Sequence, residues 1–216
     1  MNKIKHIIWD WNGTLFDDVR LCLDIINGVL VRRNLNALSL EEYRNIFTFP
    51  VQDYYEKAGL DFSKYSFEIL GREWMDEYEI RKSSCGLHKG AEDALRKISQ
   101  KEIGQSILSA YSQNTLEEIV QHFGIKKYFS HMVGLNHIYA TSKIENGKEL
   151  MKKLGNGKGE ILFIGDTVHD FEVAKEIGAG CILIADGHQD KDKLEACNVP
   201  VFNSIKDIPF DDILEN

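Results

Sequence analysis

The chain has 216 residues, of which 43% are hydrophobic and 28% are charged, as in a folded globular protein with one core and room for a smaller satellite domain. Its 26 Lys and Arg residues against 34 Asp and Glu residues give a net charge of -8, which argues against a broad surface for nucleic acid or for an anionic membrane. The chain lacks a long apolar run, a signal peptide at its start and any CxxC pair among its cysteines. These features predict a cytoplasmic protein.

Short apolar segments, each followed by turn residues and a helical pattern, predict the strands of the fold. In chain order they are IKHIIW near the start, QSILSA from 105, HMVGL from 131, EILFIG from 160 and GCILIA from 180. Phe171, Ala174 and Ile177 then recur at helical spacing, and Gly178 marks the end of that helix. Buried strands that alternate with helices are typical of an α/β protein with a doubly wound parallel sheet.

The segment between the first and second strands is far longer than a crossover helix requires. From 18 to 84 it has a helical pattern, in which Leu21, Ile25 and Val29 lie on one apolar stripe. We therefore predict a helical cap domain at 18–84, inserted into a core formed by 1–17 and 85–216.

Reactive side chains follow four of the five predicted strands. Asp10 ends the first, Ser109 ends the second, Lys143 follows the third, and GDTVHD at 165–170 ends the fourth. Because ligands bind at the carboxyl ends of parallel strands, these side chains should meet. Together they could provide a nucleophile, a cation and a hydroxyl for phosphate, and carboxylates at Asp10 and Asp166 for Mg²⁺. This set predicts phosphoryl transfer.

In order and spacing, the same residues resemble the haloacid dehalogenase superfamily of hydrolases, and within it the phosphoglycolate-phosphatase-like branch with a helical cap. IIWDWNGTL resembles the first motif, an apolar strand followed by DxDGT and L. Ser109 matches the second motif, Lys143 the third, and Asp166 and Asp170 the GDxxxD of the fourth. The resemblance covers nearly the whole chain and implies a Rossmann-like core.

The resemblance also implies a role for each matching residue. Asp10 would form an aspartyl-phosphate intermediate, Thr14 would brace the loop, Ser109 would hold the phosphate, and Lys143 would neutralise Asp10 and the phosphate. The implied ligands of Mg²⁺ are Asp10, the backbone carbonyl of Asn12, Asp166 and, as a ligand or as a partner of one, Asp170. The substrate would be a small phosphorylated metabolite whose leaving group contacts the cap.

Position 12 departs from the family pattern, because it holds Asn where a second Asp would protonate the leaving group and then activate water. An amide neither donates nor accepts a proton at working pH. We therefore expect slow turnover, least impaired for acyl and aryl phosphates, unless another group such as His169 replaces the missing acid. In the cap, Thr48, Phe49 and Pro50 are candidates for leaving-group contacts, although Phe49 could equally serve in packing.

Two other kinds of function stay open at this point. Phosphonate hydrolysis, carbon–halogen cleavage and phosphomutase chemistry occur in the same superfamily. A phosphate-ligand binding or regulatory protein would have kept the scaffold and lost turnover. Asn12 favours this second alternative, whereas the intact Asp10, Ser109, Lys143, Asp166 and Asp170 oppose it.

Overall fold

The computed structural model of the chain describes residues 3–135, 143–155 and 159–215. The strands are β1 (His6–Trp9), β2 (Phe16–Asp17), β3 (Gly86–Leu87), β4 (Gly104–Ser112), β5 (His131–Leu135), β6 (Ile161–Gly165), β7 (Gly180–Ile184) and β8 (Val201–Phe202). The helices are α1 (Val19–Val31), α2 (Leu40–Ile46), α3 (Val51–Lys57), α4 (Phe67–Arg81), α5 (Ala91–Gln100), α6 (Gln113–His122), α7 (Lys143–Leu154), α8 (Val168–Ile177), α9 (Lys191–Glu195) and α10 (Phe210–Glu215). Three short 3-10 turns connect some of these elements.

The centre of the fold is a parallel sheet of six strands in the order β5-β4-β1-β6-β7-β8. Five of these strands are the predicted ones, and β8 is a two-residue edge strand too short to leave a periodic signal. Helices cover the sheet, and the middle strands β1 and β6 are buried along their whole length. The predicted α/β class with a doubly wound parallel sheet is confirmed.

The predicted helix after the fourth strand is present as α8, and local chemistry defines both of its ends. At its start the Thr167 side chain accepts a hydrogen bond from the Asp170 backbone, and the Asp170 side chain accepts one from the Thr167 backbone. At its end Gly178 adopts a left-handed conformation with φ 74°, which glycine tolerates without strain. No helix in the described ranges is long and apolar enough to cross a membrane.

Helices α1 to α4 occupy the long segment between β2 and β3. The predicted apolar stripe of α1 is buried, and α1 packs against α4. Phe16–Asp17 and Gly86–Leu87, which flank this segment, pair as a two-stranded antiparallel sheet. The division into a core and a cap at 18 and 84 stays a prediction, and Asp18, placed at its edge, belongs to the hydrogen-bond network of the first loop described below.

Candidate active site

Strand register brings the predicted site residues to one edge of the sheet. Trp9 pairs with Ile107 on one side and with Ile164 on the other. Asp10, Ser109 and Asp166 each follow one of these paired residues by one or two positions, so they lie at the same edge of the sheet. Ser109 does not end its strand as predicted, because β4 continues to Ser112. The register with β5 shifts between Leu108 and Ser112, and the Ser109 hydroxyl accepts a hydrogen bond from the Tyr111 amide at 3.0 Å. The irregularity places Ser109 at the site although the strand runs on.

Three buried carboxylates and one ammonium form the centre of this edge. Asp10, Asp166 and Asp170 each offer an oxygen within 4.8 Å of the others. The Lys143 Nζ, at the start of α7, donates hydrogen bonds to Asp10 Oδ1 and, at 2.6 Å, to Asp170 Oδ1. All four side chains are buried. The structure therefore brings together the predicted nucleophile, lysine and acidic motif in one cluster.

Asp166 is fixed by groups from two loops. Its Oδ1 accepts a hydrogen bond from Thr14 Oγ1 at 2.8 Å, and its Oδ2 accepts one from the His188 backbone at 2.7 Å. Gly13 lies against it with φ +74°, and a Cβ there would come within 2.4 Å of Asp166 Oδ2 and 2.5 Å of the His188 ring. Only glycine fits this turn, and the bracing role of Thr14 stays a prediction.

Burial and neighbouring charges set the protonation of the cluster. Burial raises the pKa of Asp166 to about 6, and the nearby Asp170 charge adds to this rise. Lys143 opposes the effect of burial on Asp170 and holds the pKa of that carboxyl below its usual range. In return Asp10 and Asp170 outweigh the burial of Lys143 and raise the pKa of its ammonium. Lys143 is therefore charged and acts as the cation of the cluster.

The Asn12 side chain is held by the carboxylate of Asp18, the first residue of the predicted cap. The Asn12 amide donates hydrogen bonds to Asp18 Oδ2 at 2.8 Å and to the Tyr78 hydroxyl at 2.7 Å. Asp18 also accepts from Gly13 N at 3.0 Å and from Tyr78 OH at 2.7 Å. Because an ionised carboxylate only accepts hydrogen bonds, the NH₂ group of Asn12 must face Asp18. In the sequence, the adjacent carboxylates Asp17 and Asp18 after Phe16 are the feature that could have pointed to this contact.

Asp18 forms a buried ion pair with His188. The His188 Nε2 lies 3.2 Å from Asp18 Oδ1, and its Nδ1 lies 2.8 Å from the Tyr43 hydroxyl of α2. Against the effect of burial, His188 lowers the pKa of Asp18 and Asp18 raises the pKa of His188. Sequence reasoning missed this histidine, which comes from the loop after β7 and forms no ligand spacing with another residue. Both of its ring nitrogens have partners, so the ring is held in place beside Asp18.

A cavity of about 670 Å³ opens above the cluster, between the sheet edge and helices α2 to α4. Of the predicted residues, Asp10, Asn12, Ser109, Lys143, Asp166 and Asp170 line it, whereas Thr14 lies beneath. Phe49 and His169 also line the cavity and contact each other, with ring centroids 5.1 Å apart. Thr48 and Pro50, the other two predicted contacts, are not among its lining residues. A ligand in the cavity would touch Asp10 at one end and helical-segment side chains at the other.

Residues 7–184 match the family model of haloacid dehalogenase-like hydrolases. The chain belongs to this family. The match includes β1 with Asp10, the long helical segment, Lys143 and the acidic motif before α8. The expected superfamily and the expectation of a hydrolase are thereby confirmed.

Relatives of this haloacid dehalogenase-like hydrolase include phosphatases. It is 23% identical to a phosphoglycolate phosphatase of Synechococcus elongatus, with 89% of each chain covered. It is 25% identical to pyrophosphatase PpaX of Oceanobacillus iheyensis, with 95% of each chain covered. Among solved structures, a predicted phosphatase from Clostridium acetobutylicum superposes with a TM-score of 0.83 at 17% identity, over 100% of both chains. The structural match confirms the Rossmann-like fold, and the named relatives agree with the predicted phosphoglycolate-phosphatase-like branch.

Proposed function

We propose that the protein is a Mg²⁺-dependent phosphatase that acts on a small phosphorylated metabolite and uses Asp10 as its nucleophile. The observation that carries this proposal is the contact of Lys143 with both Asp10 and Asp170 at the floor of the cavity. A buried ammonium between two carboxylates can neutralise Asp10 as it attacks and can attract the phosphoryl oxygens. Phosphatases among its relatives support the same reaction class.

The proposed reaction has two displacement steps at phosphorus. Lys143 binds Asp10 Oδ1, and we assign the attack to Oδ2. The new O–P bond gives an aspartyl-phosphate, while the ester P–O bond breaks and the leaving oxygen takes its electron pair. Water then attacks the phosphorus of this intermediate, which releases phosphate and restores the Asp10 carboxylate. In both steps Ser109 would hold a phosphoryl oxygen and Lys143 would offset the negative charge.

The donor set fits Mg²⁺. Three buried carboxylates within 4.8 Å of one another face a single lysine, so the cluster holds more negative than positive charge. Mg²⁺ prefers oxygen ligands and is held by one or two carboxylates together with waters and phosphate oxygens. Asp10 and Asp166 would be its carboxylate ligands, with the carbonyl of Asn12 as a backbone ligand and Asp170 as a ligand or a partner of one. The ion would supply charge neutralisation at the phosphoryl group.

Position 12 makes this phosphatase slow on poor leaving groups. The Asn12 amide is held by Asp18 and Tyr78 and carries no acidic proton for the leaving oxygen. A positioned acid or base typically contributes about 10²- to 10⁴-fold to the rate. We expect that loss in both steps, so the aspartyl-phosphate should accumulate during turnover.

The first experiment measures phosphate release from a panel of phosphorylated metabolites, with Mg²⁺ and with excess chelator. Peptide mapping first verifies that Asn12, which precedes Gly13, has not deamidated to a carboxylate. We expect release that needs Mg²⁺ and is lost in Asp10→Asn, together with a phosphorylated peptide containing Asp10 after acid quench. Asp24→Asn, at an exposed carboxylate of α1, serves as the matched control. Release by Asp10→Asn at the wild-type rate would show that the nucleophile is another residue.

A phosphate-ligand binding protein is the second candidate, and the fixed amide of Asn12 favours it. Such a protein would bind phosphate esters through Lys143 and Ser109 without releasing phosphate. Calorimetric binding that coincides with zero turnover, even for acyl phosphates, would support this candidate over the phosphatase. Excess chelator distinguishes a dehalogenase from the proposed phosphatase. Dehalogenation should continue in the chelator, because attack of a carboxylate on carbon needs no Mg²⁺.

A further inference from the structure

The wall of the cavity opposite Asp10 is mainly aromatic and apolar. It is formed by side chains of the segment from α2 to α4, among them Tyr43, Phe49, Tyr54, Phe67, Met75 and Tyr78. Phe49, Phe67 and Met75 are more than one third exposed although they are large and apolar. Apolar side chains that stay exposed in a concave site mark a binding surface. The leaving group of the substrate would therefore meet rings and methylene groups.

Two tyrosine hydroxyls on this wall are bonded within the protein, whereas the buried Tyr54 hydroxyl has no hydrogen-bond partner among the described residues. The Tyr43 hydroxyl is bonded to His188 and the Tyr78 hydroxyl to Asp18, so both residues offer their ring faces. Within the described residues, Arg72 is the one arginine or lysine that the helical segment contributes to the cavity lining. Arg72 lies 3.8 Å from Glu68, and both side chains are largely exposed at the rim. The wall thus provides little charge for a carboxylate or a second phosphate.

Asn12 supplies a second, independent constraint on the leaving group. Without a proton donor at position 12, the leaving oxygen departs as an anion. A phenol has a pKa of about 10, whereas an alkoxide is about as basic as hydroxide, whose conjugate acid, water, has a pKa of about 15.7. A phenolate therefore leaves without help far more easily than an alkoxide. The chemistry at one end of the cavity and the apolar wall at the other favour the same kind of ester.

We infer that the substrate is an aryl phosphate, whose ring packs against the Phe49 side of the cavity and leaves as a phenolate. This inference rests on the proposed phosphatase function and assigns its substrate class. The cavity volume of about 670 Å³ lies in the range of roughly 300 to 1,000 Å³ that holds drug-sized ligands. Phe49 contacts Phe47 edge-on with ring centroids 5.6 Å apart, so the two rings together form a broad apolar surface.

Four probes separate leaving-group chemistry from apolar recognition. Naphthyl phosphate combines an apolar ring with a good leaving group, and benzyl phosphate keeps the ring with an alkoxide leaving group. Acetyl phosphate has a good leaving group without a ring, and phosphoglycolate has neither property. We expect Asp10 to be phosphorylated fast by naphthyl and acetyl phosphate, as measured by acid quench within the first turnover, and KM to be low for naphthyl and benzyl phosphate. The value of kcat/KM should be highest for naphthyl phosphate by at least about 10²-fold over phosphoglycolate, the lower end of what a missing acid removes.

Variants of the wall test recognition of the ring. Phe49→Ala should raise KM for naphthyl phosphate about 2- to 10-fold, the size of a lost aromatic contact, and should raise KM for acetyl phosphate less. Phe67→Ala, at a separate part of the wall, repeats the test if the first variant folds poorly. Ile69→Ala is the matched control, since Ile69 is 64% exposed on α4 and is not among the cavity-lining residues.

The outcomes distinguish this inference from the function on which it rests. If phosphate is released only by wild type and not by Asp10→Asn, but phosphoglycolate exceeds naphthyl phosphate in kcat/KM, the function stands and the aryl assignment is overturned. Fast release from benzyl phosphate that is lost in His169→Gln would also overturn it, because a proton donor would then be present. No Asp10-dependent release from any of the four probes would overturn the phosphatase itself. Free phosphotyrosine and a phosphotyrosyl peptide, run in parallel, show whether the phenol belongs to a small molecule or to a protein.

Discussion

The two ends of the cavity use their side chains in opposite ways. At the phosphate end, Asp10, Lys143 and Asp170 are buried, and both carboxyl groups contact the Lys143 ammonium. At the leaving-group end, Phe49 and Met75 are partly exposed and offer only apolar surface to a ligand. This difference indicates that the phosphate end carries out the reaction and that the leaving-group end selects the substrate. A buried charge network fails when one member is removed, whereas an apolar wall loses affinity in proportion to the surface that is removed.

Lys143→Met should cause the largest loss of activity, because it removes the cation at the phosphate end of the cavity. Asp10 and Asp170 would then face each other without a counter-charge, and we expect kcat/KM to fall by at least about 10²- to 10³-fold for every ester. Loss of one partner from a buried ion pair should also lower the free energy of unfolding by about 3 to 5 kcal/mol. Steady-state kinetics on aryl and alkyl phosphates, with urea unfolding, measure both changes.

Lys148→Met is the control for that variant, since Lys148 lies on the same helix and forms a surface pair with Glu145 at 3.2 Å. It should change neither quantity appreciably. A loss in Lys143→Met that affects aryl phosphates and spares alkyl phosphates would contradict the separation of the two ends, because it would make the lysine a selectivity residue.

Exchanging the side chains of Asn12 and Asp18 tests the phosphate end of the cavity further. The exchange moves the carboxyl group from position 18 to position 12, where an acid could protonate the leaving group. Asn12→Asp alone sets two carboxylates at the 2.8 Å contact that Asn12 now makes with Asp18, and such a pair holds a proton between its members. Asn12→Asp combined with Asp18→Asn restores a hydrogen bond between an amide and a carboxylate. We expect either change to raise kcat on alkyl phosphates, by about 10²-fold or more in the double variant.

Aryl phosphates provide the internal control for the first step, because departure of a phenolate gains little from a proton donor. The dependence of kcat/KM on the leaving group should therefore flatten in the double variant, and trapped aspartyl-phosphate should decrease. Unfolding curves verify that each variant is folded. Unchanged alkyl turnover in a folded double variant would show that position 12 does not limit the rate.

Asp18 also shows which parts of the site the sequence could not predict. Order and spacing of motifs predicted Asp10, Ser109, Lys143, Asp166 and Asp170, because parallel strands bring their carboxyl ends together whatever the loops do. The fold class followed from buried strand patterns for the same reason. The partner of Asp18, in contrast, is separated from it by most of the chain. Contacts of that kind depend on how loops and the helical segment pack, which periodicity does not encode.

The Asp18 and His188 pair lets the network be tested apart from the reaction. A double-mutant cycle with Asp18→Asn and His188→Gln should show that either single change lowers the free energy of unfolding by about 3 to 5 kcal/mol, since it leaves a buried charge unpaired. The double variant should lose less than the sum. A second cycle at Lys191 and Glu195, an exposed pair 3.7 Å apart, is the control, with an expected coupling of about 0 to 1 kcal/mol. Equal coupling in the two cycles would contradict a buried ion pair.

The smallest expected losses of stability and activity come from removing two helix caps, one at each end of the cavity. Ser39 caps α2, which carries Tyr43 of the wall, and Thr167 caps α8 at the phosphate end. Ser39→Ala and Thr167→Ala should each lower stability by about 1 kcal/mol. Only Thr167→Ala should also lower kcat, by roughly tenfold, because its hydroxyl donates at 2.7 Å to Asp170 Oδ2, whose other oxygen binds Lys143.

Thermal unfolding and kinetics on one aryl phosphate measure both quantities for each cap variant. Ser39→Ala should keep the wild-type kcat, because α2 contributes ring surface and no group that reacts, and any change should appear in KM. An equal fall of kcat in the two variants would mean that order in α2 controls the chemical step. Recognition and reaction would then be one coupled unit, since the Tyr43 hydroxyl bonded to His188 is the connection through which α2 reaches Asp18.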